Sequence, residues 1–210
     1  WERELVKPTE FVPVASIIHT FQMRNLEHTF MDQGNNSGYY THRYWESNGD
    51  ITDIASAMSI RNTVGLAMNE GFRKWVKMGL TFFATHEYRR YGLPTHLPDT
   101  TIQTSESEHE VLIGAEIRKS QGRTLHYNAS GEFCLVGTNV GDFNIQAEGD
   151  LNFRLGKRDS ATLIVRANIQ NQKPTYLLRN YRNTYINWNN NDLSRQFRTG
   201  LQGEIKYSRT

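Results

Sequence analysis

The chain has 210 residues, room for one ordinary domain, with 24 basic against 22 acidic side chains, a net charge of +2, 37% hydrophobic residues and a mean hydropathy of −0.65. Both signs are scattered along the chain, which argues against nucleic acid as a partner. No stretch approaches eighteen consecutive apolar residues, which excludes a transmembrane helix but not a β-barrel, whose alternating strands average to a soluble-looking hydropathy. The single Cys134 excludes an internal disulfide and Cys-rich zinc frameworks. Trp1 is followed by none of the zones of a signal peptide, so the chain is expected to be a processed or partial polypeptide, one domain over residues 1–210.

Taken in chain order, the first expected strand lies around Ala15 to Met23. In the second, Ile60, Val64, Leu66 and Met68 alternate with Arg61, Thr63 and Asn69. In the third, Val76, Met78, Leu80, Phe82 and Ala84 alternate with Lys77, Gly79, Thr81, Phe83 and Thr85 and run on into Glu87 and Arg89. Val111 to Ile117 faces Glu110, Glu116 and Arg118, and Leu125 to Leu135 faces His126, Asn128, Ser130 and Glu132. The clearest pattern is Phe143, Ile145, Ala147, Gly149, Leu151, Phe153 and Leu155, set against Asn144, Gln146, Glu148, Asp150, Asn152 and Arg154. Ala161 to Ile169 alternates less cleanly because Ile164 sits on the polar side. A short strand near Thr184 to Trp188 and a last one, Phe197 to Tyr207 against Arg198, Gln202, Glu204 and Lys206, bring the count to about nine. A helical reading fails, since apolar residues do not recur at three- and four-residue spacing and β-branched and aromatic types fill the apolar row.

The connections alternate in length. Long segments run from Asp32 to about Ala55, from Tyr91 to Thr104 and from Gln172 to Arg182; short turns fall at Glu70 to Arg73, Ser120 to Gly122, Gly156 to Asp159 and Asn189 to Asp192, with Gly137 to Gly141 a short exception. Outer-membrane barrels have short turns on the periplasmic side and long loops outside. The expected fold is therefore all-β: an antiparallel transmembrane β-barrel meander of about nine strands, part of a larger barrel, with long loops outward and Thr210 at the outer face.

Val12 to Thr20, Asn69 to Leu80, Val140 to Phe143, Lys173 to Tyr176, Asn180 to Asn183 and Ile186 to Asn189 resemble the putative porin family of Bacteroidetes outer membranes, over most of the chain. The resemblance implies a longer outer-membrane barrel and, through the family's name, passive diffusion. The carboxyl end departs from the pattern: Tyr207-Ser208-Arg209-Thr210 lacks the terminal aromatic of a last barrel strand.

If the apolar row meets lipid, Val76, Met78, Leu80, Phe82, Phe143, Ile145, Leu151 and Phe153 face acyl chains. The charged residues opposite are then the pore-lining candidates: Lys77, Glu87, Arg89, Glu108, Glu110, Glu116, Arg118, Glu132, Glu148, Asp150, Arg154, Arg166, Arg198, Glu204 and Lys206, eight acidic and seven basic. So balanced a set favours a cross-strand ladder over an ion-selective ring. No catalytic, cofactor or metal site is expected. His86-Glu87 is followed by Arg90 where a zincin needs its second His, and His109-Glu110 fails likewise. Cys134 reads as a plain interior thiol. Tyr39, Tyr40, Tyr44 and Trp45 suit either ligand contact or an aromatic belt, and Trp75, Tyr88, Tyr91 and Trp188 suit the belt. The expected partner is outer-membrane lipid. Two rival readings remain open here: a structural barrel whose long loops dock another envelope protein, and a ligand-binding barrel with its apolar row turned inward.

Overall fold

The computed structural model describes residues 14–33, 38–45, 50–70, 78–97, 100–156 and 159–209. Eight long strands form one antiparallel sheet: β1 (Ala15–Asp32), β2 (Ile51–Met68), β3 (Gly79–Leu97), β4 (Thr100–Lys119), β5 (Leu125–Gly137), β6 (Phe143–Arg154), β7 (Asp159–Gln172) and β10 (Gln196–Arg209), with α1, β8 and β9 between the last two. Each long strand pairs with its neighbour in sequence, so the sheet is a simple meander. Between β7 and β10, residues 173–195 hold a single helical turn, α1 (Tyr176–Arg179), and a small hairpin of β8 (Asn180–Arg182) and β9 (Asn187–Asn189). The all-β antiparallel expectation holds, with one change in the count. The short strand expected near Thr184 to Trp188 is not a wall strand; its end is β9 of the insertion.

An even number of wall strands brings Ala15 and Arg209 to the same end, alongside Met68, Lys119 and Asp159. The expectation that the chain leaves at the opposite end is therefore corrected as far as Arg209; Thr210 lies outside the described residues.

The strands also run further than alternation suggests. β3 and β4 pair from Gly79↔Arg118 to Leu97↔Thr100, so most of the stretch from Tyr91 to Thr104 is hairpin rather than loop. Beyond Tyr88 the outer row turns polar (Arg90, Gly92, His96) while Tyr91 and Leu93 are buried on the inner face, so the ladder continues after the apolar-out alternation that marks the earlier part of the strand has ended. Pro94 is tolerated because β2 pairs with β3 only as far as Ser56↔Gly92, leaving the missing N–H opposite no strand on that side.

Register assigns the faces. Arg61, Glu87 and Glu110 stand side by side on one face, as do Glu148, Arg166 and Gln202; Leu66, Phe82 and Ala115, and Ile145 with Ile169, stand on the other. The charged face is the concave one. Arg61 of β2 reaches Glu132 of β5, Nη2 to Oε2 2.6 Å. On a flat sheet these strands would lie about 14 Å apart, three spacings of ~4.8 Å, with side chains perpendicular to it. The heads meet because the sheet curls toward them. A glycine helps: a Cβ at Gly114 would overlap the Phe83 ring, which lies across the inner wall there. A bulge between Val111 and Leu112 leaves Leu135 unmatched and keeps Cys134, buried, on the concave side. The segment from Gly137 to Gly141 is a turn, as expected, with positive φ at both glycines.

Among the described residues the sheet stays open. β1 and β10 each have one neighbour, and their apolar rows are bare, Ile17 being 83% and Leu201 81% exposed.

At the short-turn end, Glu70 ties two turns together: its carboxylate accepts from the N–H groups of Ser120 (2.7 Å) and Gln121 (2.9 Å) and from the Ser120 hydroxyl (2.8 Å). Desolvation alone would raise this carboxyl, but the three donors together hold it below the ordinary carboxylate value of 4.5. A depressed folded-state pKa means that the tie stabilises above pH 4.5 and is lost as pH falls through the lower folded value. Protection of the Ser120 and Gln121 amides, measured against their intrinsic exchange rates, should therefore fall over that acid window in the native protein. In E70Q exchange there should be faster already at neutral pH and show no such step.

Candidate functional site

The concave face carries a zigzag of opposite charges. Arg61 also pairs with Glu87 (3.4 Å), which pairs with Arg89 (2.8 Å), which pairs with Glu110 (2.8 Å). Glu110 accepts further from the Asn139 amide. The carboxylates are well covered, Glu87 and Glu110 having side chains only 10% and 4% exposed. Such charges are tolerable because each has a partner and hydrogen bonds. A second group, Arg166 with Glu148 (3.1 Å) and Glu204 (3.6 Å), is largely open to solvent and contributes little to stability.

Residues 173–195 cross this face as a strap. Its start is fixed where Lys173 donates its N–H to Asp142 (2.9 Å). Arg179 donates to Glu108 of β4 (2.6 Å) and to the Pro174 carbonyl (2.9 Å). Arg182 donates to the Pro94 carbonyl of β3 (2.9 Å) and to Thr104. The Thr184 N–H bonds Asp53 of β2 (2.7 Å), and the Tyr185 hydroxyl bonds Asp32 of β1 (2.7 Å), which raises the phenol's pKa. Arg195 then returns to Asp142 (2.9 Å) and the Val140 carbonyl. The strap thus leaves from β7, touches β4, β3, β2 and β1 in turn, and comes back to β10. Aromatic stacking supports it: Tyr176 lies on Tyr91 (4.4 Å) and Tyr40 on Tyr185 (4.1 Å), while Tyr44 donates its N–H to the Thr184 carbonyl.

The convex face keeps its large apolar side chains, among them Phe82, Ile113, Ile145, Leu151 and Phe153, exposed. From Phe143 to Phe153 the row spans ten residue rises, about 34 Å of strand, which at a tilt of ~35–45° projects to roughly 24–28 Å against an apolar band of ~25 Å in membrane barrels. Near one border, His86, Tyr88 and His109 form a ring cluster (His86 to His109 5.7 Å, Tyr88 to His109 4.8 Å). A curled meander with a charged inside, an apolar outside and a ring cluster at the border is the anatomy of an outer-membrane barrel wall. The family model described as "putative porin" matches residues 4–210. The chain belongs to the putative porin family. Searches of curated proteins and of solved structures find no match.

Read as a porin wall, the chain carries fourteen of its fifteen charged candidates on one face: Glu87, Arg89, Glu108, Glu110, Glu116, Arg118, Glu132, Glu148, Asp150, Arg154, Arg166, Arg198, Glu204 and Lys206. The structure divides them. Glu87, Arg89, Glu108, Glu110 and Glu132 gather around the strap; Glu148, Arg166, Glu204 and Lys206 lie on the open side, and Asp150 binds His126 (2.8 Å). Leu80, Phe82, Phe143, Ile145, Leu151 and Phe153 occupy the opposite face, and Met78, just ahead of β3, is exposed. Val76, Lys77 and Trp75 lie outside the described residues.

The stretch from Gln172 to Arg182, expected to point away, instead folds back over the charged face. Two assignments to the aromatic belt are also corrected: Tyr91 is buried beneath the strap, and Trp188 packs on Tyr181 within the β8–β9 hairpin. Trp45 packs at a tilt against His96 (4.3 Å), whose ring nitrogen lies 2.9 Å from Asp53. Arg61, Asn139, Arg179, Arg182, Asp32 and Asp53 were missed as site residues. Only Arg61 carried a signal, since it sits in the polar row of an alternating strand; nothing in the local pattern around Arg179 marks its long-range partner. Among the described residues no cluster of three potential metal ligands occurs.

Removing Arg179 strands a buried Glu108 carboxylate, at a cost of about 3–5 kcal/mol. R179A should therefore speed proteolysis and hydrogen exchange within residues 173–195 while the strand amides stay protected. R179K, which keeps the charge but cannot bond Glu108 and Pro174 through one planar fork, should fall between.

Proposed function

We propose that this chain forms part of the wall of a water-filled outer-membrane pore through which small polar solutes diffuse, with no chemical step. The observation that carries this reading is the pairing of opposite faces: a concave row of charges crossed by the strap, and a convex apolar row with no protein against it among the described residues. So large an exposed apolar surface is unstable in water and natural in hydrocarbon. On this reading the short-turn end lies in the periplasm and the strap sits toward the outer mouth. Further strands complete the ring between β10 and β1, since two bare edges would otherwise invite aggregation. The nearly equal numbers of acidic and basic side chains on the concave face favour a weakly ion-selective passage, because fields of opposite sign largely cancel along the wall.

The complete protein in a planar lipid bilayer should give stable open-channel steps, and deleting residues 176–190 should enlarge them. Complete electrical silence would sink the pore and favour a structural barrel whose long loops dock an envelope partner. The face assignment has its own check. I145R and L151R each place a cation against acyl chains, costing about 2–4 kcal/mol near the midplane, and should block membrane assembly. Normal insertion of both variants would contradict the assignment.

A further inference from the structure

Between the strap and the sheet lies a cavity of about 410 Å³, with walls from β1 to β5, the turn after β5 and the first residues of the strap. Two features of its lining bear on what it could hold. The first is a pair of buried acceptors without donors among the described residues. Glu108 accepts from Arg179 with one oxygen, and its Oε2 has no partner; Asn139 gives its amide N–H to Glu110, and its Oδ1 has none. Both residues are more than nine-tenths buried and both line the cavity. The bond to the Glu110 carboxylate fixes which end of the Asn139 amide is the oxygen, since a carboxylate accepts and does not donate. The second feature is an aromatic wall, Tyr91 stacked on Tyr176.

Buried acceptors of this kind cost free energy until a donor arrives. Lys173 and Arg24 line the same cavity, and neither makes an ion pair among the described residues, so donors stand there as well as acceptors. The surrounding charge nearly cancels. Arg24, Arg61, Arg89, Lys173, Arg179 and Arg195 give six positive charges against five negative from Glu87, Glu108, Glu110, Glu132 and Asp142. A site with little net charge, mixed donors and acceptors and a flat apolar wall matches a hydroxyl-rich neutral molecule. Each hydroxyl both donates and accepts, and the C–H face of a sugar ring can lie against an aromatic side chain. We propose that this cavity is a binding site for a small neutral carbohydrate on its way through the wall's lumen, with Glu108, Asn139 and Tyr176 as its specificity-determining residues. It rests on the pore reading above and adds the class of solute.

The test uses sucrose on the complete protein, with poly(ethylene glycol) of matched hydrodynamic radius as a volume-excluding control. Sucrose should reduce ion current in a saturable manner, whereas the polymer should reduce it without saturation. E108Q keeps an oxygen for Arg179 but replaces the unpartnered acceptor with a donor. It should weaken half-saturation roughly tenfold, read as the fraction of that variant's own sucrose-free current, the fold-change expected when a buried acceptor is lost. Y176L removes the stacking surface, together with the ring that lies 5.8 Å from the Arg179 guanidinium, but deletes no charge, and it should weaken half-saturation by a similar factor. The proposal is overturned if sucrose behaves like the polymer, if its block is saturable but insensitive to both variants, or if ethylammonium saturates where sucrose does not, which would make the cavity a cation site. Electrical silence counts against the pore alone. Calorimetric titration of sucrose into the detergent-solubilised protein then decides the site, saturable heat that is lost in E108Q supporting it and an absence of binding heat overturning it.

Discussion

Curvature toward the charged face is the constraint on which the rest depends. Side chains alternate across a strand, so a wall with one charged and one apolar row must put one of them inside the bend. When the charged row is inside, the heads of Arg61, Glu87, Arg89, Glu110 and Glu132 converge and neutralise one another across strands. The same bend splays the apolar row outward, where Phe82, Ile113 and Ile145 stay exposed. Reversing the bend would bring bulky apolar chains together and scatter the charges into hydrocarbon, losing both advantages.

The strap follows from the same geometry. A segment lying across a concave charged surface can satisfy its own polar groups only by finding partners on the wall, and residues 173–195 do so on four strands. Its anchors are chemically varied: a buried ion pair at Glu108, a guanidinium on a carbonyl at Pro94, a backbone N–H on Asp53 and a phenol on Asp32. Because those carboxylates belong to different strands, the strap also holds the bend, joining the two halves of an open sheet that has no closing pair. Stability and the shape of the lumen are therefore set by one interaction network, and a change at Arg179 acts on both.

The burial of charge is uneven, and that unevenness has meaning. Under the strap Glu87, Glu108 and Glu110 are each matched by an arginine, their side chains at most 10% exposed. Toward β10 the inner face is open and its pairs are loose, Arg166 to Glu204 at 3.6 Å with both side chains 41% exposed. The tight half resembles a built site, with fixed distances and two acceptors still seeking donors; the open half resembles a wetted wall. A solute passing along this face would meet a wide polar surface on one flank and a shaped recess on the other.

The amino-acid sequence by itself determined the period, the two faces and the membership of each residue in its row. Phe143 to Leu155 could be read strand and face together because every second residue is of one kind, and the charged candidates within the described residues fall on a single face as read. Alternation marks a wall strand only where the apolar row faces out, so it did not show that β3 continues from Tyr88 to Leu97, where the outer row is polar and Tyr91 and Leu93 are buried on the inner face. Nor did it distinguish β9, a short hairpin strand, from a wall strand. What only the tertiary structure decided was the even number of wall strands, the sense of the bend and the inward fold of the strap. Those features depend on contacts such as Arg179 with Glu108 and Tyr185 with Asp32, made between residues 71 and 153 positions apart. A local pattern carries no information about such partners, because which residue meets which across a curved sheet is settled by register and curvature, and neither is a property of any single segment.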